Sequence, residues 1–294
     1  MELQENLNQI FHPSDFTEAS YVAFVHSLKL AVSGQGKLTI LHTGNEGDGS
    51  PWRNFPGVRQ TLEQWGMLPP GSSKEAVAEL GLEVAKVAAT RRDPVESVLH
   101  YLEKHPHDMI VLATHQYDGF NRLMHKTFAE PIARQSGQRT LFIPFGIDGF
   151  ISGIDGAVSL KNILIPVDAR PHPQVAVDAA VALTELLGST QVNIHLLHIG
   201  EPDVFPRMRL VDGACWNWNR ISKQGNVEEE ILSAAGQVGA DLIVMATQGH
   251  HGFMDALRGS TTERIVRTAK IPVLAVPAYN HAAEMMMGGL VWSS

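Results

Sequence analysis

The sequence predicts an α/β protein built from two copies of one parallel-sheet unit, and three observations carry that prediction. The first is an internal repeat. Asp108-Met-Ile-Val-Leu-Ala-Thr114 recurs as Asp241-Leu-Ile-Val-Met-Ala-Thr247, an offset of 133, and Gly119-Phe120, Thr127, Glu130 and Pro144 meet Gly252-Phe253, Ser260, Glu263 and Pro277 at the same spacing. The second is alternation: short continuous apolar runs separated by longer helical patterns, as expected of strands covered on both faces by crossover helices. The third is punctuation, since cap and breaker residues such as Asp93-Pro94 and Asn226 fall between those runs.

Taken in order, Ile10-Phe-His-Pro13-Ser-Asp15 answers Ile163-Leu-Ile-Pro166-Val-Asp168 at an offset of 153, and Leu41-His42 answers Leu197-His198 at 156. The offset then falls from 156 to 133, so the first half holds 23 extra residues before its Asp108 strand. They lie in an insert over 45–81, which reads as two short helices, 58–65 and 73–80, parted by Pro69-Pro70-Gly71. Pro94 suits a first helical position, where no amide donor is needed. A last strand over 140–144 closes this half. The linker carries Gly-Ile-Asp-Gly twice, at Gly146 and Gly153, and suggests a small hairpin around the second copy.

In the second half, strands are expected over 162–167, 192–199, 214–221, 241–246 and 272–276, with a long helix over 173–187. Another helix begins at Asn226, whose side chain can cap while Glu229 stands at the third helical position. Trp216 and Trp218, two apart, are expected on one sheet face. Residues 201–214 carry two prolines and little helical periodicity. The domains are therefore 1–146 and 161–279, with a linker or hairpin over 147–160. A tail over 280–294 either docks on the body or a neighbouring chain, or stays disordered.

Acidic residues outnumber basic ones 31 to 23, for a net charge of -8 and a pI near 5.9, which removes the electrostatic basis for general nucleic-acid or anionic-membrane binding. No apolar run approaches the roughly 18 residues of a membrane span, so no membrane insertion is expected. The acidic opening Met1-Glu2-Leu3-Gln4-Glu5 does not read as a secretory signal. Cys215 is the one cysteine, so no internal disulfide forms, and the expected location is cytoplasmic.

The chemistry concentrates at strand ends, where ligands of open parallel sheets bind. Asp168 ends one strand of the second half. Ala246-Thr-Gln-Gly249 ends another, and after nine residues come Gly259-Ser260-Thr261-Thr262 and a helix. Glycines admit close backbone approach, while hydroxyls and helix-start amides supply donors to an anion.

At these residues the chain resembles the universal stress protein family in its tandem form, over nearly its whole length. Nucleotide-binding members carry Gly-x2-Gly-x9-Gly-(Ser/Thr) after the fourth strand and Asp after the first; Gly249, Gly259 and Ser260 match, and Ala246 replaces the first glycine. The resemblance implies Rossmann-like, doubly wound five-stranded parallel sheets, one per half, in the order 3-2-1-4-5, packed as a pseudo-dimer. It implies ATP, AMP or ADP as ligand, with Mg as a possible companion ion. Asp168 then meets the adenine side, Ile199 and Met245 line the base or ribose pocket, and Ser260, Thr261 and Thr262 hold phosphate. A homodimer of whole chains is also implied.

The first half keeps Asp15, but its motif line is Ala113-x2-Gln116-x9-Lys126-Thr127, without a motif glycine. One nucleotide, in the second half, is the resulting expectation; Lys126 could attract a different anion. The apolar last strands, 140–144 and 271–277, would be exposed edges if left alone, so the halves are expected to associate through them. No P-loop, zinc spacing or obvious catalytic base is present, and the paired strand-end histidines His42 and His198 read as structural or pocket-lining. Binding with slow or no hydrolysis is the leading reading. A slow ATPase and a nucleotide-independent interaction scaffold remain alternatives.

Overall fold

The computed structural model describes residues 7–14, 18–42, 57–88, 93–114, 129–201, 204–248 and 260–278. The first half runs β1 (Gln9–Ser14), α1 (Glu18–Ser33), β2 (Lys37–His42), α2 (Val58–Gln64), α3 (Glu75–Glu79), β3 (Glu83–Ala88), α4 (Pro94–Lys104), β4 (Met109–Thr114), α5 (Ala129–Ser136) and β5 (Thr140–Pro144). The second runs β6 (Asn162–Pro166), α6 (Gln174–Leu186), β7 (Val192–Ile199), β8 (Trp216–Lys223), α7 (Val227–Val238), β9 (Leu242–Gln248), α8 (Thr261–Thr268) and β10 (Val273–Ala278). Asp15, Gln116, Lys126, Thr127, Gly249, His250, His251, Gly259 and the tail over 280–294 lie outside the described residues.

Side chains alternate across the strands, and the strands are apolar because both sides are covered. Ile163 and Ile165 of β6 join the core beneath α1 and α6, with Phe24, Leu28, Val177 and Leu183. Leu164 points the other way, into a second core with Val98, Ile132, Ile231 and Ile265 from α4, α5, α7 and α8. Trp216 and Trp218 both pack on the first of these cores, donating their indole N–H groups to Thr184 Oγ1 and the Val211 carbonyl.

The expectation of two separate five-stranded sheets is corrected, while the order 3-2-1-4-5 holds within each half. There is one ten-stranded sheet in the order β3-β2-β1-β4-β5-β10-β9-β6-β7-β8. All neighbours are parallel except β5 and β10, which pair antiparallel with Val273 opposite Phe142, Leu274 opposite Leu141 and Ala275 opposite Thr140. The physical reason lies in the edges: each last strand offers unpaired N–H and C=O groups, and joining the two edges satisfies both rows at once.

The repeated Asp108 and Asp241 have a structural cause. Asp241 Oδ2 accepts the amides of Lys161 and Asn162, each at 2.8 Å, and Asp108 Oδ2 accepts those of Asn8 and Gln9 at 3.0 and 2.8 Å. Each carboxylate ties the start of a central strand to its neighbour, at the end of the sheet opposite the strand C-termini. Asp241→Ala should cost about 2 kcal/mol in urea unfolding, because two charge-assisted bonds vanish at a partly exposed position.

The linker docks on the first half. A bridge between Ile151 and Val158 makes a small hairpin. Its carbonyls at Gly153 and Ile154 accept from Gln64 Nε2, and Gly153 also accepts from Trp65 Nε1, so residues of the insert hold it. Gly156, at φ +68°, lies under the Trp65 ring, where a Cβ would come within 2.6 Å.

On α1, the buried His26 ring donates from Nδ1 to the Val22 carbonyl and accepts the Phe150 amide at Nε2, 3.2 Å away. Burial pushes its pKa from 6.5 down to about 4, against a smaller opposing effect of the Val22 bond. Because the folded value is depressed, the full contribution holds above pH 6.5. It declines as pH falls towards 4, by about 3 kcal/mol in all. His26→Gln, compared with the parent in urea at pH 7 and pH 4.5, should show the shallower loss.

Candidate functional site

β6 and β9 lie side by side only at Ile163–Leu242 and Leu164–Ile243. Beyond that, β6 stays with β7, the Val167 amide donating to the Leu197 carbonyl at 2.8 Å, while β9 continues beside β10 to Gln248. The connection from β6 passes through α6 on one face and that from β9 through α8 on the other. Strand ends splay where winding reverses in this way, and the crevice between them is the natural ligand position of a doubly wound sheet.

A cleft of about 310 Å³ opens at this point. Asp168, Ile199, Met245, Ala246, Ser260, Thr261 and Thr262 all line it; Gly249 and Gly259 are outside the described residues. One wall is apolar. Leu197 and Ile199 reach it from β7, Met245 from β9, and Val227 and Ile231 from α7.

The other wall is polar. Thr247 and Gln248 end β9, and the first turn of α8 adds three hydroxyls. Ser260 is the N-cap of α8: its Oγ accepts the Glu263 amide at 3.1 Å, which leaves its own hydroxyl proton for another acceptor. The amides of Thr261 and Thr262, at the start of the helix, have no backbone acceptor among the described residues. Such donors favour an anion.

Asp168 is exposed at the rim, with Oδ1 accepting the Ala169 amide at 2.7 Å. The backbone just before it is held from behind. His198, between Leu197 and Ile199, points to the opposite face, is buried, and donates from Nδ1 to the Val167 carbonyl at 3.2 Å. His42 makes the equivalent bond to the Ser14 carbonyl at 3.3 Å. The repeated histidines thus brace the ends of β6 and β1. Among the described residues no group of three or more His, Cys, Asp or Glu is arranged for a metal ion.

Several lining residues were not anticipated. Leu197 follows from Ile199 by the two-residue period of β7. Val227 and Ile231 are an i, i+4 pair on α7, and Val227 is 43% exposed, unusual for an apolar residue beside a core helix face. Arg170 and Pro171, in the turn after β6, bring a cation to the same cleft.

The universal stress protein family model matches residues 7–144 and 218–277. Among solved structures, a universal stress protein from Archaeoglobus fulgidus DSM 4304 is 17% identical, with a TM-score of 0.59, over 93% of this chain and 99% of that one. A putative universal stress protein from Pseudomonas aeruginosa UCBPP-PA14 is 12% identical, with a TM-score of 0.61, over 97% of this chain and 99% of that one. A functionally unknown protein from Pseudomonas aeruginosa PAO1 is 13% identical, with a TM-score of 0.60, over 97% of each. At these identities the structures establish the fold alone. No curated protein matches the sequence. With the family model matched in both halves and a repeated fold behind it, the chain belongs to the universal stress protein family, in its tandem form.

Proposed function

We propose that the second half, residues 161–279, is a domain that binds an adenine nucleotide in this cleft, as ATP or its relatives AMP and ADP. The chain then acts as a binding or signalling module of the stress response, with slow or no hydrolysis. The observation that supports this most is the convergence of Asp168, Ile199, Met245 and Ser260 to Thr262 on a single cleft at the switch point. A purine is flat and apolar on its faces, which suits the wall of Ile199, Met245, Val227 and Ile231. Its edge and ribose hydroxyls are donors, which suits Asp168. The phosphates suit Ser260, Thr261 and Thr262 at the start of α8.

The described lining of the polar end supports slow turnover. Asp168 is the single carboxylate among the described lining residues, and the family resemblance assigns it to the adenine side. Of the described lining residues at the polar end, Thr247 and Gln248 beside the hydroxyls carry no carboxylate or imidazole to activate water. Phosphoryl transfer depends on a positioned nucleophile and a charge clamp, and stabilising the bound ground state alone does not accelerate it.

The test is recovery of the ligand. Denatured extracts of purified protein should release an adenine nucleotide identifiable by mass, and added ATP should raise the melting temperature. Neither release nor stabilisation at millimolar ATP would overturn the reading. A steady-state ATPase rate of about 1 per second or more, lost in Ser260→Ala, would overturn the claim of slow hydrolysis.

A further inference from the structure

We infer that Arg170 is a phosphate-binding residue of this cleft, so that affinity rises with the number of phosphates on the ligand. The inference deepens the nucleotide reading and rests on it for the identity of the ligand, though not for its charge. Arg170 lines the cleft together with Ser260, Thr261 and Thr262. It is exposed, and among the described residues it has no ion pair and no side-chain hydrogen bond.

The neighbouring cations differ. Arg264 on α8 is bound by Glu228 at 3.1 Å, and Arg267 by Glu263. Asp168, two residues before Arg170 and in the same cleft, makes no ion pair with it. A guanidinium without a carboxylate partner, in a protein of net charge -8, therefore lines the same cleft as the α8 hydroxyls and helix-start amides. All of these groups donate hydrogen bonds, and together they are complementary to a phosphate.

Chemistry favours phosphate over a simple halide or a single carboxylate. A guanidinium presents a planar fork that binds two phosphate oxygens, while the α8 donors can take another. Position supports the role. Arg170 lies between Asp168 and Pro171, which both line the cleft, so its backbone sits at the rim and its long side chain has reach along the opening. The glycine and hydroxyl pattern of the family supplies neutral donors. Arg170 adds a formal charge, whose effect on binding scales with the charge of the ligand.

The experiment uses the full chain and the variants Arg170→Ala and Arg170→Lys. Calorimetry with adenosine, AMP, ADP and ATP is paired with thermal shifts in inorganic tripolyphosphate. Arg170→Ala should lower the ratio of ATP to adenosine affinity by roughly 10- to 100-fold, the loss of one charge-assisted contact. It should also abolish stabilisation by tripolyphosphate, and Arg170→Lys should recover part of each.

An unchanged ATP-to-adenosine ratio in Arg170→Ala, with tripolyphosphate stabilisation intact, would overturn the role of Arg170 and leave the nucleotide reading standing. Tripolyphosphate binding that depends on Arg170, without binding of any adenine nucleotide, would support the phosphate role and overturn the nucleotide reading. No response of the parent to either probe would overturn both.

Discussion

Gly259→Lys is expected to weaken ATP binding by about 100-fold or more, while circular dichroism stays that of the parent. The chain itself supplies the comparison, because Lys126 occupies the equivalent place in the first half and Gln116 stands where the second half has Gly249. Residue 259 directly precedes Ser260, the N-cap whose helix start lines the cleft. On the proposed nucleotide reading, a glycine before that N-cap would let a phosphate approach the backbone, and a side chain would occupy that approach. The reverse change, Lys126→Gly, should restore little binding to the first half, since Gln116 remains. Calorimetry distinguishes these outcomes, and unchanged affinity in Gly259→Lys would show that the motif has been read wrongly.

The second large effect concerns the junction of the halves. Leu274 and Leu141 face each other across β10 and β5, and both are fully buried. Leu274→Ala should cost about 3 kcal/mol, as truncation of a packed core leucine does. Leu141→Ala should act on the same contact, so the double variant should fall short of the sum by a measurable coupling.

Because the sheet and its two cores run through this junction, the parent is expected to unfold in one transition, followed by tryptophan fluorescence and circular dichroism in urea. Leu274→Ala should begin to separate the two probes. A cost below about 1 kcal/mol would mean that the halves hardly depend on their shared strands.

Much of this architecture is legible in the residues because a strand buried on both faces has to be apolar throughout. β7 occupies Val192–Ile199, as its run of apolar residues indicates, and Asn226 caps α7 by accepting the amides of Glu228 and Glu229. Edges are harder. β8 was expected over 214–221 and runs Trp216–Lys223, since this outer strand carries only half-buried and exposed residues and its ends give weak signals. The helix expected over 73–80 is a single turn, Glu75–Glu79.

The joining of two sheets into one has no local signature at all. Apolar last strands show that each edge needs a partner, but not that pairing will continue the hydrogen-bond ladder. At the cleft, Asp168 and Ser260 to Thr262 were accessible because the motif names residue types with specific chemistry. Val227 and Ile231 read as an ordinary helix face, and Arg170 as one exposed charge among 23 basic residues, until the fold brings them to the same opening.

The central claim is that one cleft, in the second half, holds one adenine nucleotide. Native mass spectrometry of the intact chain titrated with ATP tests it most directly. The expected spectrum shows a single ATP adduct per chain in the parent and none in Gly259→Lys at the same concentration. Two adducts of similar affinity, a single adduct that survives Gly259→Lys, or no adduct in the parent would contradict it.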